Sequence, residues 1–145
     1  MKTKMIGMAM LCLMVIFLSS CQKKKGCTDP DSINYDEEAE VDDESCQYEA
    51  DLTLWISEST ATDLVDADIT TLTYHLDGEL IGSASTSTYF DNEPNCNTNG
   101  AVNAVIDLGY EKQKTYTLTV SDEEGNEVES EITIKANQCN VYEFQ

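Results

Sequence analysis

Apolar and polar residues alternate along most of the chain after residue 50, and this alternation limits the possible folds more than any other feature. The first such segment runs from Leu52 to Ser57, and because successive side chains of a strand point to opposite faces, it predicts a half-buried strand. Trp55 falls on the polar side, so we expect it to be exposed or to cover a sheet edge. Further strands are predicted at 69–76, 79–84, 85–90, 102–108, 115–120, 128–136 and 139–144, with no helical apolar period after residue 50. Such a series of short strands predicts an antiparallel β-sandwich over residues 51–145.

Two turn motifs place hairpins within this pattern. Asp77-Gly78 predicts a type I′ turn, since both central positions of that turn need a positive φ, and residues 123–126 predict a second hairpin turn. The stretch 116–126 (YTLTVSDEEGN), followed by Ile-Thr-Ile at 132–134, resembles the last hairpin of bacterial immunoglobulin-like domains. The resemblance implies an all-β, immunoglobulin-like antiparallel β-sandwich, and it concerns fold rather than activity.

Residues 1–20 are typical of an export signal. Lys2 and Lys4 form a basic start, and the uncharged stretch 5–20 is shorter than the roughly 20 residues that a membrane span needs. The segment ends in Leu18-Ser19-Ser20-Cys21, which resembles the bacterial lipobox. The resemblance implies cleavage before Cys21, lipid on its thiol, and anchoring in the bacterial cell envelope. The outer membrane is the expected location, and whether the chain faces the periplasm or the cell surface stays open. The alternatives are an ordinary secretory signal with a chance cysteine, or an uncleaved anchor helix.

The remaining cysteines predict cross-links. Cys12 leaves with the signal and Cys21 takes the lipid, so four cysteines remain: Cys27, Cys46, Cys96 and Cys139. An even number in an oxidising compartment indicates disulfides, with three possible connectivities. We favour local pairing because it suits a two-part organisation, and the two loops would then contribute about 3 and 4 kcal/mol in the chain-entropy model. A zinc site is disfavoured, since the spacing has no Cys-x-x-Cys and His75 is the only histidine.

Residues 21–25 predict a flexible polar tether, and residues 26–48 (GCTDPDSINYDEEAEVDDESCQY) form a distinct acidic segment. This segment resembles a cysteine-flanked module of secreted and surface bacterial proteins, with the pattern G-C-T-D-P-x-A-x-N-Y-x-x-x-A-x-x-D-D-G-S-C. The resemblance implies a disulfide-clamped loop beside another domain. Ser32 replaces a small apolar residue of the pattern, and Glu44 replaces a glycine. The second departure puts the turn before Cys46 in doubt, because glycine tolerates a positive φ.

The acidic segment also contains candidate ligands for a hard cation. Ca²⁺ takes six to eight oxygen ligands, and a clamped loop rich in carboxylates is able to supply them. The spacing differs from that of an EF-hand. The alternative is that these side chains form turns by accepting hydrogen bonds from nearby backbone N–H groups. The candidate ligands are Asp29, Asp31, Asn34, Asp36, Asp42 and Asp43.

Charge narrows the range of partners. The signal contains two of the eight Lys and Arg residues and none of the 28 acids, so its removal changes the formal charge from −20 to −22. Phosphate binding needs a positive field, and this charge therefore argues against nucleic acid and anionic lipid as partners.

No catalytic motif is recognisable in the sequence, and we expect a non-enzymatic protein. Nucleophilic catalysis needs a base oriented beside the nucleophile, and the lone His75 lies on a polar strand face. We therefore predict a membrane-anchored binding or adhesion module that contacts an envelope protein or glycan, with the polar loop 91–100 as the first candidate surface. The alternative is a structural envelope lipoprotein with a cation-stabilised spacer and no discrete ligand. An exposed apolar patch would favour the binding module.

Overall fold

The computed structural model describes residues 22–145; the predicted export signal (residues 1–20) and Cys21 lie outside this range. The described part contains nine strands and one helix. In chain order they are β1 Lys25–Gly26, β2 Val41–Asp42, β3 Tyr48–Ile56, α1 Glu58–Asp66, β4 Thr71–Leu76, β5 Glu79–Ser85, β6 Val102–Gly109, β7 Gln113–Asp122, β8 Glu127–Lys135 and β9 Cys139–Phe144.

Strands β3 to β9 form an all-β sandwich, as the alternation predicts. One sheet has the order β6-β3-β9 and the other the order β5-β4-β7-β8. The core lies between them and includes Leu52, Tyr74 and Ile134, each no more than 1 % exposed. Burial raises the pKa of Tyr74 to about 12. At one edge the two sheets meet so closely that a Cβ on Gly82 would lie 2.8 Å from Val102 Cγ1.

The strand order differs in two respects from an antibody domain. In constant immunoglobulin domains the first strand shares a sheet with the second, fourth and fifth strands. Here the first strand of the sandwich, β3, pairs instead with the fourth and the last, β6 and β9. The β3–β9 pair is also parallel, with Asp51 opposite Cys139, whereas the other pairs of the sandwich are antiparallel. The molecule therefore shares the sandwich architecture of immunoglobulin domains but not their strand order.

From Leu52 to Ile56, strand β3 is buried on both faces, which corrects the expectation of a half-buried strand. Thr53 and Trp55 point away from the core but are only 0 % and 8 % exposed. The segment 86–101 lies across this outer face, and the ring of Phe90 packs edge-on against Trp55 at 6.5 Å between centroids. The expectation of an exposed Trp55 is therefore wrong, because a loop distant in sequence covers it.

Two further elements differ from the sequence-based expectation. Helix α1 was not predicted. Of its residues only Ala61 is fully buried, and Leu64 packs beside the core. Two apolar contacts within nine residues are too few to give a helical period. The separate strand expected at 85–90 is not formed: Ser85 ends β5, residues 86–87 form a turn, and Phe90 makes a single bridge with Ser57. The buried hydroxyl of Thr86 in this turn donates to the carbonyl of Ile69.

Both predicted hairpins are confirmed. Asp77 and Gly78 have φ values of 48° and 83°, as a type I′ turn requires. The turn between β7 and β8 is held by Asp122, whose carboxylate accepts bonds from the backbone N–H groups of Glu124 and Asn126. The hairpin that resembles the last one of an immunoglobulin-like domain is followed here by β9, which returns to the other sheet.

Candidate functional site

The acidic module and the sandwich meet at a polar joint centred on Asp29. Its carboxylate accepts a hydrogen bond from the hydroxyl of Tyr48 at 2.7 Å and lies 2.6 Å from the ammonium of Lys112. These contacts, that with Lys112 first, lower the pKa of Asp29 to about 2. Because this value lies below that of an unfolded aspartate, the joint is stabilised at neutral pH, and that stabilisation is lost as the pH falls from about 4 towards 2.

A second acid of the module strengthens the same joint. Asp31 lies 3.4 Å from the ammonium of Lys112 and accepts a hydrogen bond from the side-chain amide of Asn137. Lys112 belongs to the β6–β7 connection and Asn137 to the β8–β9 connection. Two turns of the sandwich therefore contact the module, and the two parts are joined by specific side-chain contacts.

The other four predicted calcium ligands are engaged within the module. Asp36 pairs with Lys24 at 2.9 Å, and Asn34 bonds to the backbone on both sides of Cys46. Asp42 and Asp43 each accept a hydrogen bond from a backbone N–H two residues further on. Among residues 22–145, no group of three or more His, Cys, Asp or Glu side chains is arranged to hold a metal ion. The geometry of these acids is that of the turn-forming alternative.

The turn before Cys46 is formed although Glu44 replaces a glycine. Glu44 has a φ of 64°, the left-handed conformation that glycine would adopt without strain. The carboxylate of Asp42 accepts the N–H of Glu44, and that of Asp43 accepts the N–H of Ser45. These side chains fix the turn that the sequence left in doubt.

The module also begins earlier than the sequence suggests. The ammonium of Lys24 contacts both Asp36 and Glu38, and its carbonyl accepts the N–H groups of Glu40 and Val41. Lys25 lies in β1, which pairs with β2. Lys24 and Lys25 therefore belong to the folded module, and of the expected tether only Gln22 and Lys23 remain as connecting residues within the described range.

Two disulfides are present, and their pairing is the local one. Cys27–Cys46 closes the module, with both residues buried. Cys96–Cys139 joins the loop 91–100 to the first residue of β9. This loop was expected to be the first candidate binding surface. The structure places this loop as a flap on the sheet β6-β3-β9.

A buried polar group fastens this flap. The hydroxyl of Thr53 donates to the side-chain oxygen of Asn103 at 2.8 Å and accepts the backbone N–H of Asn97 at 3.2 Å. The amide of Asn103 donates in turn to the carbonyls of Thr98 and Ala101. Thr53 is fully buried and its hydroxyl is satisfied on both sides, so the flap is fixed by both a covalent bond and hydrogen bonds.

A groove remains on the outer face of the same sheet, beside the module. Its volume is about 470 Å³. One wall comes from the module and the other from the β8–β9 turn, while β3 and β6 form the floor. The lining residues are Asp31, Ser32, Ile33, Glu49, Ala50, Asp51, Val105, Asn137, Gln138 and Cys139. Ile33 and Val105 are 57 % and 63 % exposed, so the groove combines two solvent-facing aliphatic side chains with a rim of carboxylates and amides.

Sequence reasoning missed most of this groove. Val105 is an apolar residue on the otherwise polar, solvent-facing side of β6, and no role was assigned to it. Lys112 carried no motif. A weak signal was available, because residues 26–111 contain neither Lys nor Arg and Lys112 is the first cation after that acidic stretch. His75 lies on the outer face of β4, opposite Leu80 and Thr119, and is away from this groove.

Comparison with known proteins does not extend the assignment. No protein family, curated protein or solved structure matches this chain. Among residues 22–145, no helix is both long enough and apolar enough to cross a membrane. What the groove does has to be argued from its own geometry.

Proposed function

We propose that this chain is an exported lipoprotein, anchored through lipid on Cys21, which binds an envelope protein in the groove between the module and the sandwich. The observation that carries the binding part is the exposed pair Ile33 and Val105 at a rigid concave site. Exposed apolar side chains surrounded by polar groups are typical of protein–protein contact sites.

Rigidity supports this proposal. One wall of the groove is clamped by Cys27–Cys46 and pinned to the sandwich through Lys112, while Cys139 in the other wall is bonded to the flap. A preformed site loses little conformational entropy on binding, which favours affinity for a given contact area. A protein segment suits the lining better than a glycan, since none of the lining residues is aromatic and a sugar ring has no surface to stack on.

The anchor rests on the resemblance of Leu18-Ser19-Ser20-Cys21 to a lipobox, and Cys21 lies outside the described residues. The described fold is compatible with it, because the folded module begins at Lys24, three residues after Cys21. With so short a connection, the module would lie next to the membrane and the groove close above it.

Replacing Cys21 by alanine should release the protein from membranes or block its processing. Each buried acyl CH₂ contributes about 0.8 kcal/mol, so losing two or three chains removes the anchor. The measurement is fractionation of cells together with the intact mass of the mature protein. Cys12→Ala is the control and should leave both unchanged. An anchored Cys21→Ala protein of normal processed mass would contradict lipidation.

The groove is tested by placing a photo-crosslinking amino acid at Val105 in cells. We expect discrete adducts at this position, and we expect Val105→Asp to abolish adducts formed from a second probe at Ile33. The matched control is Val128, which is 55 % exposed on β8, outside the groove. Identical adduct patterns from Val105 and Val128 would rule out a specific protein partner at the groove. Because Val105→Asp places a carboxylate opposite Asp51, circular dichroism checks that this variant keeps its fold.

A further inference from the structure

Helix α1 and the turn after β5 enclose a second groove, at the end of the sandwich opposite the module. Strand β3 begins beside the module and leads into α1, and its nine residues span about 30 Å at the usual rise per residue. The groove has a volume of about 280 Å³. It is lined by Glu58, Ala61, Thr62, Val65, Asp66, Thr86, Ser87 and Tyr89.

The floor and the rim of this groove differ in character. The five helical positions that line it are spaced three or four apart, so they lie along one face of α1. Ala61 and Thr86 form a floor that is only 4 % and 2 % exposed, and the hydroxyl of Thr86 is already bonded to Ile69. Val65 and Tyr89 form the rim and are 54 % and 43 % exposed. The middle of the groove therefore offers an apolar surface to solvent.

The two ends of the groove are acidic and have no internal counter-ion. Within residues 22–145, neither Glu58 nor Asp66 has an ion pair or a side-chain hydrogen bond. Asp66 lies in the last turn of α1, which contains no basic residue. A carboxylate there is opposed by the negative end of the helix dipole. A cation supplied from outside would therefore interact favourably with both the carboxylate and the dipole.

We propose that this second groove binds an extended basic segment of a partner protein. Two cationic side chains of the segment lie against Glu58 and Asp66, and an apolar side chain between them packs over Ala61, flanked by Val65 and Tyr89. The spacing of the charges fits. Glu58 and Asp66 are eight positions apart in α1, which corresponds to about 12 Å along the helix axis. In an extended chain, side chains four positions apart on one face are separated by about 13 Å. This site depends neither on the lipid on Cys21 nor on the groove beside the module.

The proposal is tested with the peptide acetyl-Arg-Gly-Leu-Gly-Arg-amide, titrated calorimetrically into the full chain in a nonionic detergent. Asp66→Asn removes one ion pair and should weaken binding about three- to fivefold. Val65→Ser removes apolar contact and should also weaken binding. The matched controls are Glu129→Gln and Val128→Ser. These two residues are an exposed acid and an exposed valine at consecutive positions of β8, outside the groove. These controls should bind the peptide as the unmodified chain does.

Amide chemical shifts locate the bound peptide and provide a second readout. We expect shifts at Ala61, Val65 and Tyr89 and none along β8. Absence of binding at millimolar peptide, equal weakening by the β8 controls, or equal binding of the peptide with glutamine in place of both arginines would each overturn the proposal. All four substituted side chains face solvent, so the variants are expected to fold, and circular dichroism checks this.

Discussion

Replacing both Cys96 and Cys139 by serine is expected to lower the free energy of unfolding by about 4 kcal/mol, because the bond closes a long loop in the unfolded chain. The two residues are separated by 43 positions. Loss of the bond also loosens the flap, and Phe90, which directly precedes the flap, packs against Trp55. The measurement is denaturant unfolding followed by the fluorescence of Trp55, the single tryptophan of the chain. Its emission should shift to longer wavelength even before unfolding.

The other disulfide is the control for this experiment. Cys27 and Cys46 are separated by 19 positions, so their replacement by serine should cost about 3 kcal/mol and should leave the native emission of Trp55 unchanged. If both double variants shifted the native emission alike, the flap would not depend specifically on Cys96–Cys139. If the Cys96/Cys139 variant kept its full stability, the cross-link would not be a main constraint on the sandwich.

Asn140→Ala is expected to destabilise the protein by about 3 kcal/mol, because it removes several hydrogen bonds to partly buried backbone groups, each worth about 0.5–1.5 kcal/mol. The side chain of Asn140 is 8 % exposed. Its oxygen accepts the N–H of Lys135, and its nitrogen donates to the carbonyls of Asp51, Lys135 and Gln138. One amide therefore joins β9 to β3 and to the end of β8. It also holds the β8–β9 turn, which forms one wall of the groove beside the module.

The effect is measured by chemical denaturation, with Asn99→Ala as the control. Asn99 is exposed and its side chain makes no hydrogen bond within the described range, so its loss should change stability by less than about 0.5 kcal/mol. Asn140→Asp tests the donor and acceptor roles of the amide separately. It keeps the oxygen that accepts the N–H of Lys135 but replaces the donating nitrogen with a carboxylate oxygen that faces three carbonyls. It should be at least as destabilising as Asn140→Ala at neutral pH. Equal stability of the Asn140 and Asn99 variants would remove Asn140 from this role.

The acidic module, which forms one wall of the candidate site, could be predicted from the sequence. The cysteine count and the composition of residues 26–48 predicted a clamped acidic module, and the oxygen-rich side chains were correctly seen as either ligands or turn formers. The coordinates show the turns that Asp42 and Asp43 form, and calcium binding stays a prediction. Asp29 and Asp31 turn towards Lys112, which lies far away in sequence, and a single sequence does not show which acid faces which cation across a domain joint.

The fold likewise has features that the local sequence predicts and features that depend on tertiary contacts. Local patterns determined the seven strands of the sandwich and both hairpins, although they also predicted a separate strand at 85–90 that is not formed. Alternation and positive-φ turn residues act over two to four neighbouring positions. Helix α1, the parallel pairing of β9 with β3 and the burial of Trp55 depended on tertiary contacts. Trp55 has a polar-side position in its strand, yet it is buried by Phe90 and by a loop that Cys139 holds in place.

The sequence by itself therefore determined most strands and the cross-linking capacity of this protein: an alternating β domain, an acidic segment between two cysteines, and a lipobox-like motif at residues 18–21. Only the tertiary structure decided which surfaces stay open. Val105 and Val65 are unremarkable in sequence, and each becomes part of a groove because a distant segment builds a wall beside it. The physical reason is that exposure depends on what packs against a residue, and strand alternation indicates the face of a side chain but not what covers that face.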